Sequence, residues 1–310
     1  MDSVSHVLGY VWKKIKRLLI PFYVWNFVYL LLQTIMAKMP ELWRGVGYGI
    51  GNQLSLYNLL VWPWTHDQPI GFNVASWFLI ALFLVEIYNI IIEWMFSKIK
   101  LRNETVLLIL SLVISLIGIR FIQNGSTGFL KILSRSMYCL FFFRLGHWYK
   151  ACGEKRDTLN STMYFLILFA LQFLFKIKYD NLTSGVYGGV DFEYLPVILL
   201  VPIVGIMFWL RVAKLLTPLL KEVKWLVFLG KNTMPVMIHH LFAIFLMQTV
   251  IYMIHCNTTI FSTFDVNRYM SSMKEMKMRK WWLLPVLMLI WCCSILPGTT
   301  LYMQQNLTKD

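Results

Sequence analysis

The sequence predicts an all-α protein, a polytopic bundle of transmembrane helices, and three observations support this fold class. Of its 310 residues, 58% are hydrophobic and only 14% are charged, whereas about a quarter of a soluble domain is charged. The mean hydropathy is +0.61. The 13 tryptophans, 15 tyrosines and 22 phenylalanines often fall at the ends of apolar runs, where amphipathic rings favour the headgroup level of a bilayer.

Eight apolar stretches are long enough to cross the hydrocarbon core, which takes roughly 20 residues of helix. They cover residues 18–37, 76–97, 105–123, 130–149, 159–177, 194–213, 226–254 and 281–303. Two other stretches, 38–75 and 255–280, are too polar or interrupted to span, and the first has room for a short interfacial or re-entrant piece. No internal repeat is evident, so an inverted-repeat transporter gains no support. We therefore treat residues 1–310 as a single membrane domain.

The net charge of +14 is scattered along the chain and is not gathered on one soluble face. Its positive residues lie mostly at helix ends, which favours anionic lipid headgroups over nucleic acid as the counter-charge. Lysine and arginine are more frequent in the cytoplasmic loops of membrane proteins. Placing both termini in the cytoplasm puts the larger share of these residues on that side. The sequence thus predicts a multi-pass protein of the bacterial inner or plasma membrane with cytoplasmic termini, although the basic cluster at 274–280 falls on the opposite side.

The five cysteines show no metal-ligand spacing, and the adjacent pair Cys292 and Cys293 lies inside an apolar stretch. Cysteine in such surroundings packs as a small apolar residue. No metal site is therefore expected.

A basic run over residues 13–22 precedes the first predicted span. It places four positive charges, Arg17 among them, at the membrane entrance and Pro21 in the first helical turn, where a proline loses no backbone hydrogen bond. One interpretation is an anchor on the cytoplasmic side. The other is a rim that contacts a phosphate-bearing substrate, for which arginine is suited by its paired donors. His6 is expected to lie in a short polar N-terminus outside the spans.

Several ionisable residues fall within or beside the predicted spans. Trp77 opens the second span, and Glu86 and Glu93 lie further along on nearly the same helical face. Because a carboxylate at membrane depth needs a partner, we expect Glu86 to form a structural ion pair. At the end of the fourth span, Arg144 is expected to extend its charge to the interface, and Gly146 is expected to allow close helix approach.

The predicted span 226–254 contains the most informative polar residues. A polar break at 230–233 and Pro235 precede two adjacent histidines, His239 and His240. In a continuous helix, His239 would lie roughly 13 Å beyond the start of the break. An imidazole at this depth can carry a proton or donate one structural hydrogen bond, and the residues alone leave both roles open.

Four segments in consistent order resemble motifs of the acyltransferase-3 family, integral-membrane enzymes that O-acetylate surface polysaccharides, lipopolysaccharide and related glycans. They are the basic run 13–22, the helix start Trp77-Phe78-Leu79, the aromatic stretch Phe141–Gly146, and the late helix with Gly230, Lys231, Asn232, Thr233 and His239. Thr233 stands where the family usually has serine.

Family members usually have about ten spans, the first of which carries an arginine and a histidine regarded as the catalytic base. The spans expected here begin with the segment that normally follows the second span, and His6 does not replace the base. The resemblance therefore implies an N-terminally incomplete domain.

The resemblance also implies an enzyme that transfers an acetyl group from acetyl-CoA to a hydroxyl of a surface polysaccharide or lipid-linked sugar of the cell envelope. His239 is then the candidate catalytic residue, and Arg17, Lys231, Asn232 and Trp77 are candidates for binding substrate or acetyl-CoA. The expected partners are membrane lipid and a glycan acceptor, without nucleic acid. The alternatives are a catalytically inactive or truncated family member, and a transporter or flippase of lipid-linked glycan.

Overall fold

The computed structural model describes residues 4–38, 54–66, 71–99, 103–179 and 194–259, together with Phe261, Phe264 and Val266. Helices make up nearly all of this part of the chain, and no β-strand occurs in it. The predicted all-α class is confirmed.

Ten α-helices are present in the described residues, with a few π-helical and 3₁₀ turns between them. They are α1 Val4–Lys14, α2 Ile20–Met36, α3 Trp62–Thr65, α4 Trp77–Lys98, α5 Glu104–Gln123, α6 Gly128–Trp148, α7 Ser161–Lys178, α8 Leu195–Leu220, α9 Lys224–Lys231 and α10 Thr233–Asn257. Two of them begin at an asparagine cap, since Asn103 accepts a hydrogen bond from the Thr105 amide and Asn160 accepts one from the Thr162 amide.

Six helical segments of the described residues are long and apolar enough to cross a membrane. They are Ser5–Met36, Trp77–Lys98, Glu104–Gln123, Ser161–Lys178, Leu195–Leu220 and Thr233–Asn257. The predicted span 130–149 does form the helix α6, but it carries Lys131, Arg135 and Arg144 and is not among the six. The predicted span 281–303 lies outside the described residues. The multi-pass class is supported, and the count of eight spans is not confirmed.

The chain divides into two compact units. The first comprises Met1–Gly9 and Ala81–Val227, and the second comprises Tyr10–Ile80 and Phe228–Asp310.

In the first unit, α5 and α6 form a closely packed pair joined by a short turn in which Gly125 has a φ of 77°. A methyl group added at Gly118 would lie 2.6 Å from the Ser134 carbonyl oxygen and 2.8 Å from Met137 Cβ. Only glycine allows this approach. The same role predicted for Gly146 is wrong, because no other part of the described chain comes within 4 Å of the corresponding position there.

Arg144 is buried in the first unit and is only 2% exposed. Its Nη2 lies 3.0 Å from Glu93 Oε1, and its Nη1 lies 3.7 Å from Glu104 Oε2. The prediction that Arg144 reaches the interface is therefore wrong. A buried guanidinium is retained where carboxylates compensate its charge, and here two of them do so. Arg144 thus pairs with Glu93, which lies on nearly the same face of α4 as Glu86, and with Glu104. The ion pair expected of Glu86 stays a prediction.

A second polar cluster of the first unit holds the chain ahead of α7 against α8. Arg211 forms an ion pair with Asp157, donates to the Leu159 carbonyl at 2.8 Å, and places its guanidinium 4.0 Å from the centre of the Tyr164 ring. The Tyr149 hydroxyl donates to the other Asp157 oxygen at 3.1 Å. Burial, followed by this hydrogen bond and the Asp157 charge, raises the pKa of Tyr149 above its ordinary value.

The helices α1 and α2 run on as one segment, because the turn between them, Ile15–Leu19, is π-helical and does not break the helix. In a regular helix, Pro21 would leave the Arg17 carbonyl without a donor and its ring would collide with that carbonyl. The wider π turn just before the proline accommodates it. Pro21 therefore lies inside a longer helix and not in its first turn. His6, expected outside the spans, is an exposed residue of α1 within the segment Ser5–Met36. At about 48 Å, the segment exceeds the hydrocarbon core of about 30 Å.

The predicted late span consists of two helices, since α9 ends at Lys231 and α10 begins at Thr233. Asn232 between them has φ −115° and ψ 32°, and its side-chain amide donates to the Phe228 carbonyl at 2.8 Å. The Asn232 backbone amide donates to the same carbonyl at 3.1 Å, so the side chain adds a second hydrogen bond at the end of α9. The continuous helix assumed for the depth of His239 is therefore interrupted at Asn232. His239 lies in the second turn of α10, about 9 Å from the start of that helix.

Residues 54–66 fall within the stretch predicted not to span, and they contain the short helix α3. The Leu54 amide donates to Thr34 Oγ1 at 2.7 Å, and Trp64 Nε1–H donates to the Tyr23 hydroxyl at 2.6 Å. Both bonds attach this piece to α2 within the second unit. Its interfacial position stays a prediction.

Candidate functional site

One face of α2 is buried and carries polar side chains in an otherwise apolar helix. Its buried residues are Pro21, Phe22, Asn26, Tyr29, Leu30, Gln33 and Met36, and they recur at helical spacing. Asn26 is 0% exposed and Tyr29 is 2% exposed. Polar groups at membrane depth are costly unless they have partners. This buried polar face is therefore a candidate functional region of the second unit.

His239 lies against this face and is 2% exposed. The Tyr29 hydroxyl and His239 Nδ1 are 2.6 Å apart, a hydrogen bond that joins α2 to α10. His239 Nε2 is also buried, and it has no hydrogen-bond partner within the described part of the chain. The structure thus orients the imidazole through one nitrogen and leaves the other available for chemistry.

Trp25 packs on the same imidazole. The two ring centres are 4.2 Å apart and the ring planes meet at 82°, an edge-to-face contact. Trp25 Nε1 is buried and, like His239 Nε2, has no hydrogen-bond partner among the described residues. Two ring nitrogens without partners therefore belong to one buried contact.

The 3₁₀ segment Gly71–Ser76 packs against both α2 and α10. Asn73 is 0% exposed, and its Nδ2 donates to Asn26 Oδ1 at 2.6 Å. The Ser76 hydroxyl donates to the Asn73 carbonyl at 2.6 Å and so fixes the turn that leads into α4. This segment connects the polar face of α2 to the predicted helix start at Trp77.

Aromatic rings pack beside the Tyr29 ring, which is 2% exposed. The Phe72 ring lies 6.0 Å from Tyr29, 5.5 Å from Phe242 and 5.0 Å from Phe245, measured between ring centres. In such surroundings the effective dielectric is low, and a hydrogen bond or a developing charge is felt more strongly than in water.

The other predicted site residues occupy different positions in the second unit. Arg17 is exposed in the π turn, and Lys231 is exposed at the last position of α9. Trp77 is half-buried at the first position of α4, as predicted. Asn232 is buried, with its amide bonded to the preceding helix. His240, next to His239, bonds through Nδ1 to the Met237 carbonyl at 2.8 Å.

Arg17 and His239 do not share one contact. Arg17 precedes Tyr29 by three helical turns, which corresponds to about 18 Å along the axis. An arginine side chain cannot cover that distance. The basic run and the imidazole would therefore have to serve different parts of one long ligand, or different ligands.

Sequence reasoning did not single out Tyr29, Trp25, Asn26 or Asn73. A signal for three of them was present, because Asn26, Tyr29 and Gln33 follow one another at intervals of three and four within an apolar span. Such a polar stripe predicts a buried face with a function. Asn73 lies outside any span and gave no comparable signal.

No three histidine, cysteine, aspartate or glutamate side chains of the described residues gather as metal ligands would. His239 contacts the phenol of Tyr29 and the indole of Trp25, and the same face of α2 carries the carboxamide pair of Asn26 and Asn73. These groups can bind and polarise neutral oxygen atoms. The basic residues predicted for the site, Arg17 and Lys231, lie at least two helical turns from Tyr29 or His239 along the chain.

Comparison with known proteins gives one family. A family model described as an acyltransferase domain matches residues 6–303, nearly the whole chain. No curated protein and no solved structure matches the chain significantly.

Proposed function

This chain belongs to the acyltransferase-3 family and is a multi-pass membrane acyltransferase, and we propose that it is an O-acetyltransferase. In this proposal it moves an acetyl group from acetyl-CoA to a hydroxyl of a surface polysaccharide or a lipid-linked sugar. The observation that carries the proposal is the buried His239, oriented by Tyr29, in a helix that resembles a family motif. The resemblance to enzymes that O-acetylate glycans supports the choice of donor and acceptor.

The reaction exchanges one acyl bond for another. The acceptor oxygen attacks the thioester carbonyl carbon, a C–O bond forms, and the C–S bond breaks. The hydroxyl proton is transferred to the departing CoA sulfur, so the products are an acetyl ester and free CoA. A tetrahedral oxyanion forms on the way, and buried hydrogen-bond donors that stabilise it lower the barrier. His239 is the residue that we place at this centre.

Arg17 and Lys231 are proposed to bind the phosphates of acetyl-CoA. Both are exposed, as a site for a large anionic donor requires, and arginine pairs well with phosphate oxygens. In acetyl-CoA a long pantetheine arm separates the phosphates from the thioester. The separation of about 18 Å between Arg17 and the level of Tyr29 suits a donor of this shape. Trp77 and Asn232 are retained as candidates for the binding region.

We place the enzyme in the bacterial inner or plasma membrane with both termini in the cytoplasm, where acetyl-CoA is made. This orientation puts the basic run 13–17 on the cytoplasmic side, in keeping with the usual distribution of lysine and arginine. Anionic lipid is then the surface next to that run. The glycan acceptor would belong to the cell envelope.

Two measurements test the function. Mass spectrometry of surface glycans is expected to show acetyl-sized mass differences that vanish on deletion of the gene and return with the wild-type gene. The purified full-length chain in nanodiscs is expected to transfer label from [acetyl-¹⁴C]acetyl-CoA to an envelope glycan extract, and His239→Ala to lower this rate at least tenfold, about 1.4 kcal/mol in barrier.

His240→Ala is the matched control, because that imidazole bonds to a carbonyl of its own helix. It is expected to transfer at the wild-type rate. Identical glycans with and without the gene, together with no label transfer in vitro, would refute the proposal. Movement of lipid-linked sugar across the membrane without acetylation would identify a transporter instead.

A further inference from the structure

The hydrogen bond between Tyr29 and His239 determines which imidazole nitrogen carries the proton. A neutral imidazole has one N–H and one acceptor nitrogen, and its partner selects between them. The separation of 2.6 Å is shorter than the usual 2.9–3.0 Å of an N–H···O bond and is closer to that of O–H donors. A phenol is also a better donor than acceptor, and an imidazole nitrogen accepts better than a phenol oxygen. Tyr29 therefore donates its O–H to Nδ1.

The proton of the imidazole then resides on Nε2. The contacts of His239 with described residues are the Tyr29 hydroxyl and aromatic rings, with no carboxylate among them. A second proton would therefore place an unpaired charge in an apolar site. The neutral Nε2–H form is thus the one that this packing favours. In that form His239 is a hydrogen-bond donor at Nε2 and has no lone pair there to take a proton.

Trp25 adds a second donor beside the first. Indole Nε1 is a donor only, and in Trp25 it is buried without a partner in the described part of the chain. The two rings are in contact, with their centres 4.2 Å apart, so these two N–H groups lie on adjoining rings. Two donors with no acceptor call for an oxygen atom with two lone pairs.

We infer that His239 Nε2–H and Trp25 Nε1–H together bind the carbonyl oxygen of the acyl group, with Tyr29 as the residue that positions His239. This inference rests on the proposed acetyl transfer and names the part that the pair plays in it. As the acceptor oxygen attacks, the carbonyl oxygen gains negative charge, and both bonds strengthen in a site of low dielectric. A neutral imidazole serves such a role well. His239 is then an electrophilic donor, and the hydroxyl proton passes to the departing CoA sulfur without resting on His239 Nε2.

Glutamine at position 239 separates the donor role from the base role. Its side-chain amide presents an N–H at nearly the reach of histidine Nε2 but cannot shuttle a proton. In nanodiscs with labelled acetyl-CoA, His239→Gln is expected to keep kcat within about tenfold of wild type, whereas His239→Ala loses about 100-fold or more. Trp25→Phe keeps an aromatic ring and removes the donor, and is expected to lower kcat about tenfold with KM for acetyl-CoA nearly unchanged. His240→Gln is the control that leaves both constants unchanged.

A spectroscopic measurement tests the tautomer without turnover. In protein labelled with ¹⁵N in the histidine rings, the His239 signals are assigned by their loss in His239→Gln. They are expected to show a protonated Nε2 and an unprotonated, hydrogen-bonded Nδ1. Tyr29→Phe is expected to shift this pattern toward a mixture of the two tautomers, which a purely structural role for Tyr29 would not require.

The outcomes separate the inference from the function on which it rests. A protonated Nδ1, or His239→Gln as inactive as His239→Ala in an enzyme that transfers acetyl groups, would overturn the donor role and leave the proposed function standing. Absence of acetyl transfer by the wild type would instead overturn the function. The ¹⁵N signals would then still show which nitrogen of His239 carries the proton.

Discussion

Replacement of Gly118 by alanine is expected to destabilise the first unit, although alanine is the better helix former. The added methyl group would lie 2.6 Å from the Ser134 carbonyl oxygen and 2.8 Å from Met137 Cβ. Both neighbours belong to α6, and a carbonyl oxygen cannot rotate away as a flexible side-chain end can. The two helices must therefore move apart.

The magnitude follows from two opposing effects. Alanine in place of glycine in a helix interior stabilises by roughly 0.5–1 kcal/mol. Overpacking of a well-packed contact costs typically 1–3 kcal/mol. The overlap with a backbone atom places Gly118 in the upper part of that range, so we expect a net loss of about 1–2 kcal/mol in the free energy of unfolding.

Gly146 provides the matched control, because it is also a helical glycine of the first unit and no described atom lies within 4 Å of its added methyl group. Gly146→Ala is expected to leave stability unchanged or raise it by up to about 1 kcal/mol. Unfolding in mixed micelles of rising SDS fraction, followed by tryptophan fluorescence, measures both variants. Equal midpoints for the two alanine variants would refute the close approach of α5 and α6 at Gly118.

Three further perturbations have distinct expected results. Arg144→Met leaves Glu93, which is 15% exposed, without its cation and is expected to cost about 3 kcal/mol in the same assay, the lower end for a broken buried pair, whereas the double variant with Glu93→Gln recovers much of the loss. The pKa of Tyr149 is higher in the folded protein than in the unfolded chain, where it is about 10. The stability that this shift contributes is present below about pH 10 and is lost as the pH rises through the folded-state pKa, so the free energy of unfolding is expected to fall less steeply with pH in Tyr149→Phe. Arg17→Ala and Lys231→Ala are expected to raise KM for acetyl-CoA severalfold with little change in kcat, measured by label transfer.

Each of these results has an outcome that contradicts its reasoning. Full additivity of Arg144→Met and Glu93→Gln would mean that the two side chains do not interact. If wild type and Tyr149→Phe lost stability identically at alkaline pH, then Asp157 and burial would not raise the pKa of Tyr149. For the basic residues, Lys155→Ala is the control, because it changes an exposed charge in the other unit. An equal rise in the KM of Lys155→Ala for acetyl-CoA would indicate a general effect of charge, and would contradict a phosphate site at Arg17 and Lys231.

Helix positions were predictable where the signal is local. The prediction 105–123 matches Glu104–Gln123, and 159–177 matches Ser161–Lys178, to within two residues. Apolar length and an asparagine cap determine both helices, and these are properties of neighbouring residues. The prediction failed at the π turn before Pro21 and at the break at Asn232, where backbone hydrogen bonding decides whether a helix continues.

The sequence by itself determined that this chain belongs in a membrane, where most of its helices run, and that His239 stands in a polar interruption of an apolar stretch. Only the tertiary structure decided that Tyr29, 210 residues earlier, meets that imidazole, and that Arg144 is buried between carboxylates. The physical reason is that hydrophobicity and capping act over a few residues. The partners of a buried polar group, by contrast, are chosen by how distant helices pack, and no local propensity encodes that choice.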